Sequence, residues 1–221
     1  MAADPHAAAK ERAGRHAAEY VLDGMNVGLG TGSTVHFTIV ALGERGLDIT
    51  CVATSTATHT LATDLGIRVV APGDVAHLDV AIDGADQVDP PLNLIKGGGG
   101  AHTREKIVAS MTDRFIVVVD EAKIVDEISG VIPLEVVDFG VAFVTARVRD
   151  LGATDVILRD RLSDNGNPLL DAAFPPVDDP GALAGALASI PGLVEHGIFP
   201  CEMVERVVVA GAEVRELVRD R

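Results

Sequence analysis

Short, almost unbroken aliphatic runs recur along this chain with helix-like segments between them, and that rhythm limits the folds open to it. Residues 49–53, 67–70, 78–82, 115–119 and 207–209 are rich in β-branched side chains and lack the polar alternation of a half-exposed strand. Runs of this kind are expected where a strand is covered on both faces, as in a parallel sheet. Amphipathic stretches at 35–42, 57–65 and 104–111 supply the covering helices. The expected fold class is α/β, a Rossmann-like parallel-sheet domain with helices on both faces.

The rhythm changes after Ile132-Pro133. Strands at 134–137, 155–158, 169–172 and 194–199, with helices at 141–151 and within 179–189, give the order βαββαβ of a ferredoxin-like α+β unit. The turn Ser163-Asp164-Asn165-Gly166-Asn167 carries the Asn-Gly step that favours a hairpin. Since 207–209 again reads as a core strand, this unit is expected to be an insertion. The expected domains are a Rossmann-like catalytic domain of residues 1–132 and 200–221, and an inserted ferredoxin-like domain of residues 133–199.

Composition narrows the partners. Hydrophobic residues make up 48% of the 221 but aromatics only 3%, so the core must be built from Val, Leu, Ile and Ala. A net charge of −15 argues against nucleic acid, whose phosphates need a basic patch. Cys51 and Cys201 are too few for a disulfide framework and show no metal-ligand spacing, which fits a reducing cytoplasm. No apolar run approaches the ~20 residues needed to span a bilayer, and residues 1–15 lack the apolar centre of a secretion signal. A soluble cytoplasmic protein with no membrane partner is expected.

Ligands of open parallel sheets bind beyond the carboxyl ends of the strands, so a site is sought among the residues just after each expected strand. Gly28-Leu29-Gly30-Thr31-Gly32-Ser33-Thr34 comes after a weak first strand, and Thr54-Ser55-Thr56-Ala57-Thr58 after 49–53. Asp83-Gly84-Ala85-Asp86 comes after 78–82, and Asp120-Glu121-Ala122-Lys123 after 115–119. The first loop offers backbone N–H groups and hydroxyls at a helix start, which suits a phosphate. It is neither a Walker A loop, having no lysine after the glycines, nor a G-x-G-x-x-G fingerprint. Thr54 and Ser55 equally suit a helix N-cap, and Asp83 and Asp86 equally suit Asx turns. Further on, Lys96 opens the run Gly97-Gly98-Gly99-Gly100, and Glu105 stands in the first turn of the next helix with Thr103 as its expected N-cap. His102 is expected to be a loop residue, and the scattered histidines show no metal spacing. Carboxylates, a lysine and bare backbone brought together suit proton-transfer chemistry.

The ordered set Gly30-Thr31-Gly32-Ser33-Thr34, Thr54-Ser55, Asp83-Gly84-Ala85-Asp86, Lys96-Gly97-Gly98-Gly99 and Thr103-Arg104-Glu105-Lys106 resembles ribose-5-phosphate isomerase of the A type. The likeness continues through Lys123, Pro133-Leu134-Glu135-Val136, Asp164-Asn165-Gly166-Asn167 and Pro191-Gly192-Leu193-Val194 with Gly197-Ile198-Phe199, so it covers nearly the whole chain. It implies interconversion of D-ribose 5-phosphate and D-ribulose 5-phosphate through a cis-enediolate, with neither metal nor cofactor. By the same resemblance Glu105 is the base, Lys96 stabilises the enediolate, Asp83 assists ring opening, and Asp86 orients Lys96 and a sugar hydroxyl. Thr31, Ser33, Thr34, Lys10 and Lys123 match the region that holds phosphate and sugar hydroxyls, with Gly30, Gly32, Gly84, Ala85, Gly97 and Gly98 as backbone contacts. The family likeness also implies a homodimer or homotetramer.

The chain departs from the family pattern at Gly100 and His102, where Ala and an apolar residue are usual, and in an acidic, short tail after Val209. Sugar-phosphate deaminases, acyl-CoA transferases and non-catalytic sugar-phosphate sensors share this type of sheet. A deaminase would need a catalytic histidine constellation, a CoA transferase a much longer chain with a nucleophilic glutamate, and a repressor-type sensor a basic helix-turn-helix segment. None is evident here.

Overall fold

The computed structural model of the protein describes residues 7–219; the first six residues of the N-terminal segment lie outside the described residues. In chain order the elements begin with α1 (Ala7–Ala18), β1 (Asn26–Leu29), α2 (Ser33–Arg45), β2 (Thr50–Ala53), α3 (Thr56–Asp64), β3 (Arg68–Val69) and β4 (Val80–Asp83). Next come β5 (Gln87–Val88), β6 (Leu94–Ile95), α4 (His102–Ser110), β7 (Phe115–Asp120), β8 (Gly130–Val136), α5 (Val141–Asp150), β9 (Asp155–Leu162) and β10 (Pro168–Phe174). The series ends with α6 (Pro180–Ala188), β11 (Leu193–His196), β12 (Ile198–Phe199), β13 (Val204–Ala210) and β14 (Val214–Val218).

The chain divides into two compact units. The first holds the described residues up to Ala85, Arg104–Lys123 and the segment from Glu202 onward; the second holds Asp86–Thr103 and Ile124–Cys201. The second is wider than the expected 133–199. Its extra strands β5 and β6 pair antiparallel with each other, and β6 pairs antiparallel with β12; Ile128 packs in its core.

In the first unit a seven-stranded sheet runs β14-β13-β7-β4-β1-β2-β3, parallel throughout except for the β13–β14 edge pair. Val27 and Leu29 of β1 join the apolar cluster formed with α1, α2 and α3. Gly28, between them, faces the other way, where a Cβ would come within 2.5 Å of Val108 in α4. Helices therefore cover both faces, as two-sided apolar strands require. The helix α1 was not evident in the sequence because its buried face is Ala13, Gly14, Ala17 and Ala18, too small to give a clear apolar period.

Residues 214–218, expected to be an acidic tail, instead form the edge strand β14. Glu216 anchors it: its carboxylate lies 2.7 Å from His16 Nε2, accepts from Arg206 Nη1 at 2.7 Å and accepts from the Tyr20 hydroxyl.

In the second unit a four-stranded antiparallel sheet has the order β11-β8-β10-β9. With α5 and α6 this is the βαββαβ arrangement expected. The strand expected over 194–199 is divided at Gly197 into β11 and β12, which belong to different sheets. The Gly197 amide donates to the Pro133 carbonyl at 2.7 Å and its own carbonyl accepts from Lys96 N at 2.8 Å. A side chain there would lie 2.3 Å from Lys96 O, so the crossing point requires glycine.

This packing leads to two testable outcomes. On α1, a Cβ at Gly14 would lie 2.7 Å from Phe37 Cβ, 2.9 Å from Thr38 N and 3.0 Å from Thr34 O, and backbone atoms of α2 cannot yield. Gly14→Ala should lower stability by about 1–2 kcal/mol in urea denaturation, although alanine is the better helix former; an unchanged midpoint would refute the close contact. For Glu216, burial pushes the carboxyl pKa up, but hydrogen bonds from Tyr20 and His16 and the Arg206 charge outweigh it and hold the value below normal. Its stabilising contribution is therefore complete above the unfolded pKa of about 4.3 and is lost as pH falls through the folded value. Glu216→Gln should lower stability at neutral pH and flatten its decline on acidification, read from urea midpoints across that range.

Candidate active site

At the carboxyl edge of the first unit's sheet, four strands end side by side and deliver polar groups. Gly30 donates its amide to Ile82 O at 2.8 Å, drawing the loop after β1 against the end of β4. The buried carboxylate of Asp83 then accepts from Thr31 N at 2.9 Å and Gly84 N at 2.7 Å, both through Oδ1. A Cβ on Gly30 would lie 1.9 Å from that oxygen. Only a residue without a side chain admits the carboxylate there.

Beside it, hydroxyls form a directed chain. Thr31 Oγ1 donates to Ser55 Oγ at 2.8 Å, Ser55 Oγ to Thr58 Oγ1 at 3.1 Å, and Thr58 Oγ1 to the Gly30 carbonyl at 2.8 Å. Thr54 Oγ1 and Thr58 Oγ1 each lie 3.0 Å from Thr31 Oγ1. Ser55 also caps α3 by accepting from Thr58 N, so the capping and site readings of this residue are compatible.

Gly32 precedes α2 with φ 142° and provides no side-chain cap, leaving the first-turn amides beside Ser33 and the buried Thr34 without one. Lys10 of α1 pairs with Asp120 at the end of β7 at 3.7 Å, and Lys123 closes the 3₁₀ turn just after that strand. Glu105 lies in the first turn of α4 and is buried.

In the second unit the glycine-rich segment is held by backbone and by arginines. Gly97 and Gly100 have φ of 102° and 82°, conformations that side chains rarely adopt. Asp86 accepts from Gly98 N at 2.8 Å. Arg159 donates to Gly97 O at 3.0 Å while gripping Asp171 with two bonds, and Arg161 donates to Gly98 O at 2.8 Å. A cleft of about 520 Å³ is lined by Asp86, Gln87, Gly98, Arg159, Arg161 and Asp171, among others. Lys96 is only 2% exposed, with Nζ 5.4 Å from the centre of the Phe199 ring.

Two expectations on this segment are corrected. His102 is not a loop residue: it opens α4, is wholly buried, and sets Nε2 3.2 Å from Glu195 O. Gly97 makes room for it, since a Cβ there would lie 2.7 Å from the imidazole. Thr103 is not an N-cap: it lies inside the first turn and donates Oγ1 to the buried Glu135 at 2.5 Å.

A family model described as ribose 5-phosphate isomerase A (phosphoriboisomerase A) matches residues 50–214. The chain belongs to the ribose 5-phosphate isomerase A family. The ribose-5-phosphate isomerase A of Methanosarcina acetivorans is 48% identical over 206 residues, covering 89% of this chain and 88% of its own. The solved ribose 5 phosphate isomerase A from Neisseria gonorrhoeae matches with a TM-score of 0.94 at 33% identity, covering 98% of each chain. A D-ribose-5-phosphate isomerase in complex with phospho-erythronic acid matches with a TM-score of 0.92 at 39% identity, covering 96% of this chain and 98% of its own.

Within this isomerase family fold, the residues singled out from sequence are distributed between the units. Gly30, Thr31, Gly32, Ser33, Thr34, Asp83, Gly84, Ala85, Glu105, Lys10 and Lys123 belong to the first, and Asp86, Lys96, Gly97 and Gly98 to the second. Direct bonds join Thr31, Asp83 and Gly84 on one side and Asp86 with Gly98 on the other. Arg159, Arg161 and Asp171, which line the cleft, were missed. Only the arginines left a trace: residues 159 and 161 alternate on one strand and so share a face. Among the described residues no group of three or more His, Cys, Asp or Glu could hold a metal ion, and no helix is long and apolar enough to cross a membrane.

The slot at Gly30 can be tested directly. Gly30→Ala must displace the Asp83 carboxylate, and isomerase kcat/KM should fall by at least ~10². Near-normal kinetics in that variant would show that the carboxylate position is not demanding.

Proposed function

We propose that this protein interconverts D-ribose 5-phosphate and D-ribulose 5-phosphate through a cis-enediolate, with Glu105 moving the proton between C2 and C1. The observation that carries the reading is a buried lysine and a buried carboxylate, Lys96 and Glu105, joined by a segment that begins with four glycines. Isomerisation removes the C2 proton of the aldose, shifts the double bond into an enediol, and returns a proton to C1. One carboxylate suffices for both transfers on one face of the planar intermediate. Negative charge developing on the enediolate oxygens is met by Lys96, preorganised in a low-dielectric setting. Asp83, fixed by the Thr31 and Gly84 amides, is assigned to ring opening, and Asp86 to orienting Lys96 and a sugar hydroxyl.

The phosphate is assigned to the start of α2, where Ser33, Thr34 and the uncapped amides meet the positive helix end. Thr31, Lys10 and Lys123 complete the phosphate and hydroxyl contacts, with Gly30, Gly32, Gly84, Ala85, Gly97 and Gly98 offering backbone. Phospho-erythronic acid, the ligand of one related structure, is a phosphorylated sugar acid whose planar carboxylate has the two-oxygen shape of an enediolate. That chemistry supports the assignment. The sensor and deaminase readings are not favoured, since the curated relatives carry the isomerase name.

A homodimer or homotetramer is supported by Ile157, Leu158 and Leu162, exposed apolar residues on the edge strand β9. A cytoplasmic setting is supported by the cysteines: both are free thiols, and burial pushes that of Cys51 up to about 12, so it acts as a packing residue.

The decisive experiment substitutes the base. Glu105→Gln keeps the shape and removes the proton acceptor, so kcat should fall by at least ~10² with KM little changed. In deuterated water the unaltered enzyme should wash label into a C–H position and the variant should not. Normal turnover or exchange by the variant would transfer the role of base to Asp83.

A further inference from the structure

Glu135 occupies β8, one of the two inner strands of the second unit's four-stranded sheet, and is completely buried. A carboxylate in that setting is costly unless every oxygen lone pair is met. Here the donors are hydroxyls and amides. Ser163 Oγ donates at 2.9 Å, Asn167 Nδ2 at 2.7 Å, and Asn165 Nδ2 at 3.1 and 3.3 Å to the two oxygens. Thr103 Oγ1 completes the set at 2.5 Å. Burial pushes the Glu135 pKa up, but these four partners together outweigh it and hold the value below normal, so the group is an anion at neutral pH.

Three of the donors come from the β9–β10 turn, which is closed by its own backbone bonds and by Gly166 at φ 83°. Those backbone bonds lie within the turn itself and involve no residue of α4. The fourth donor, Thr103, is in the first turn of α4, the turn that carries Glu105. Its neighbour His102 meets Glu195 O on β11, and Glu195 is the cross-strand partner of Glu135. The first turn of α4 is therefore tied at consecutive residues to one adjacent pair on β8 and β11. A glutamine in place of Glu135 would offer a single acceptor oxygen and turn an NH₂ group toward donors, so the site requires a carboxylate.

We propose that Glu135 is a positioning residue of the isomerase, acting through Thr103 to fix the rotation and axial position of the first turn of α4 and hence the carboxylate of Glu105. The inference rests on Glu105 being the base, and it extends that reading to a residue outside the reacting groups. A hydrogen-bonded tether to a buried anion holds the turn more tightly than a neutral contact would, and a misplacement of about 1 Å costs a reaction about 10²-fold.

The test is steady-state kinetics with ribose 5-phosphate on Thr103→Val, Thr103→Ser, Glu135→Gln and the Thr103→Val/Glu135→Gln double variant. Glu216→Gln, on the edge strand β14 and remote in sequence, serves as a stability control. Thr103→Val should lower kcat by about 10²-fold with KM changed by less than about threefold. Thr103→Ser, which restores the hydroxyl, should recover kcat to within a few-fold of the unaltered enzyme. The double variant should be no slower than the slower single variant, because both remove one interaction. The stability control should keep its kcat when its melting temperature falls as far as that of Thr103→Val.

Full kcat in Thr103→Val, no recovery in Thr103→Ser, or a kcat loss in the stability control as large as that of Thr103→Val would overturn the proposal. Multiplicative losses in the double variant would do the same. If Glu135→Gln does not fold, the Thr103 pair still decides between the outcomes. Failure of the base assignment has a separate signature, a Glu105→Gln variant that remains active, and is thereby distinguished from failure of this one.

Discussion

Parallel pairing in one direction is the constraint on which the first unit depends. Leu29 of β1 lies in register with Ala53 of β2 and Ile82 of β4, and Asp83 of β4 with Val117 of β7. Strands that run the same way in register must release their loops at the same edge. Gly30, Thr54 and Gly84 consequently begin their loops as neighbours, although far apart in the chain. The hydroxyl chain from Thr54 to the Gly30 carbonyl and the amide grip on Asp83 are consequences of that alignment. Two missing side chains make it possible: Gly28 admits Val108 on one face, and Gly30 admits the Asp83 carboxylate at the edge.

The second unit solves a different problem, holding charges where water is scarce. Lys96 is buried beside an aromatic ring, and Glu135 is buried among hydroxyls and amides. Both belong to segments whose backbones are over-determined. The carbonyls of Gly97 and Gly98 are fixed by Arg159 and Arg161, and the Lys96 peptide is tied to Gly197. Preorganisation of this kind holds a group in place without rearrangement. It also accounts for glycines in this run: positive φ at Gly97 and Gly100, and the approach of His102 to Gly97, leave no room for side chains there.

Much of the fold was legible in the sequence because apolar periodicity reports two-sided burial directly. The parallel strands, their covering helices, the βαββαβ order and the Asn165-Gly166 turn could all be read from pattern and turn chemistry. The elements that escaped had no strong local signal. The helix α1 buries only small residues, β5 and β6 are two residues long, and β14 is a charged edge strand held by Glu216. The division between units also escaped, because β5, β6 and β12 belong together through pairing rather than through sequence neighbourhood.

For the site, the chain itself determined which chemistry was available: a carboxylate after β4, a lysine before four glycines, a glutamate in a helix's first turn, and glycines and hydroxyls at a helix start. Residue type carries that information, and in the first unit strand-end position adds to it, since parallel strands release their loops at one sheet edge. Tertiary structure alone decided what each group meets. Glu135 reads in sequence as an ordinary strand residue, His102 as a loop residue and Thr103 as a cap. Their contacts are with residues on other strands and turns, and a hydrogen bond between distant segments leaves no periodic trace in either one.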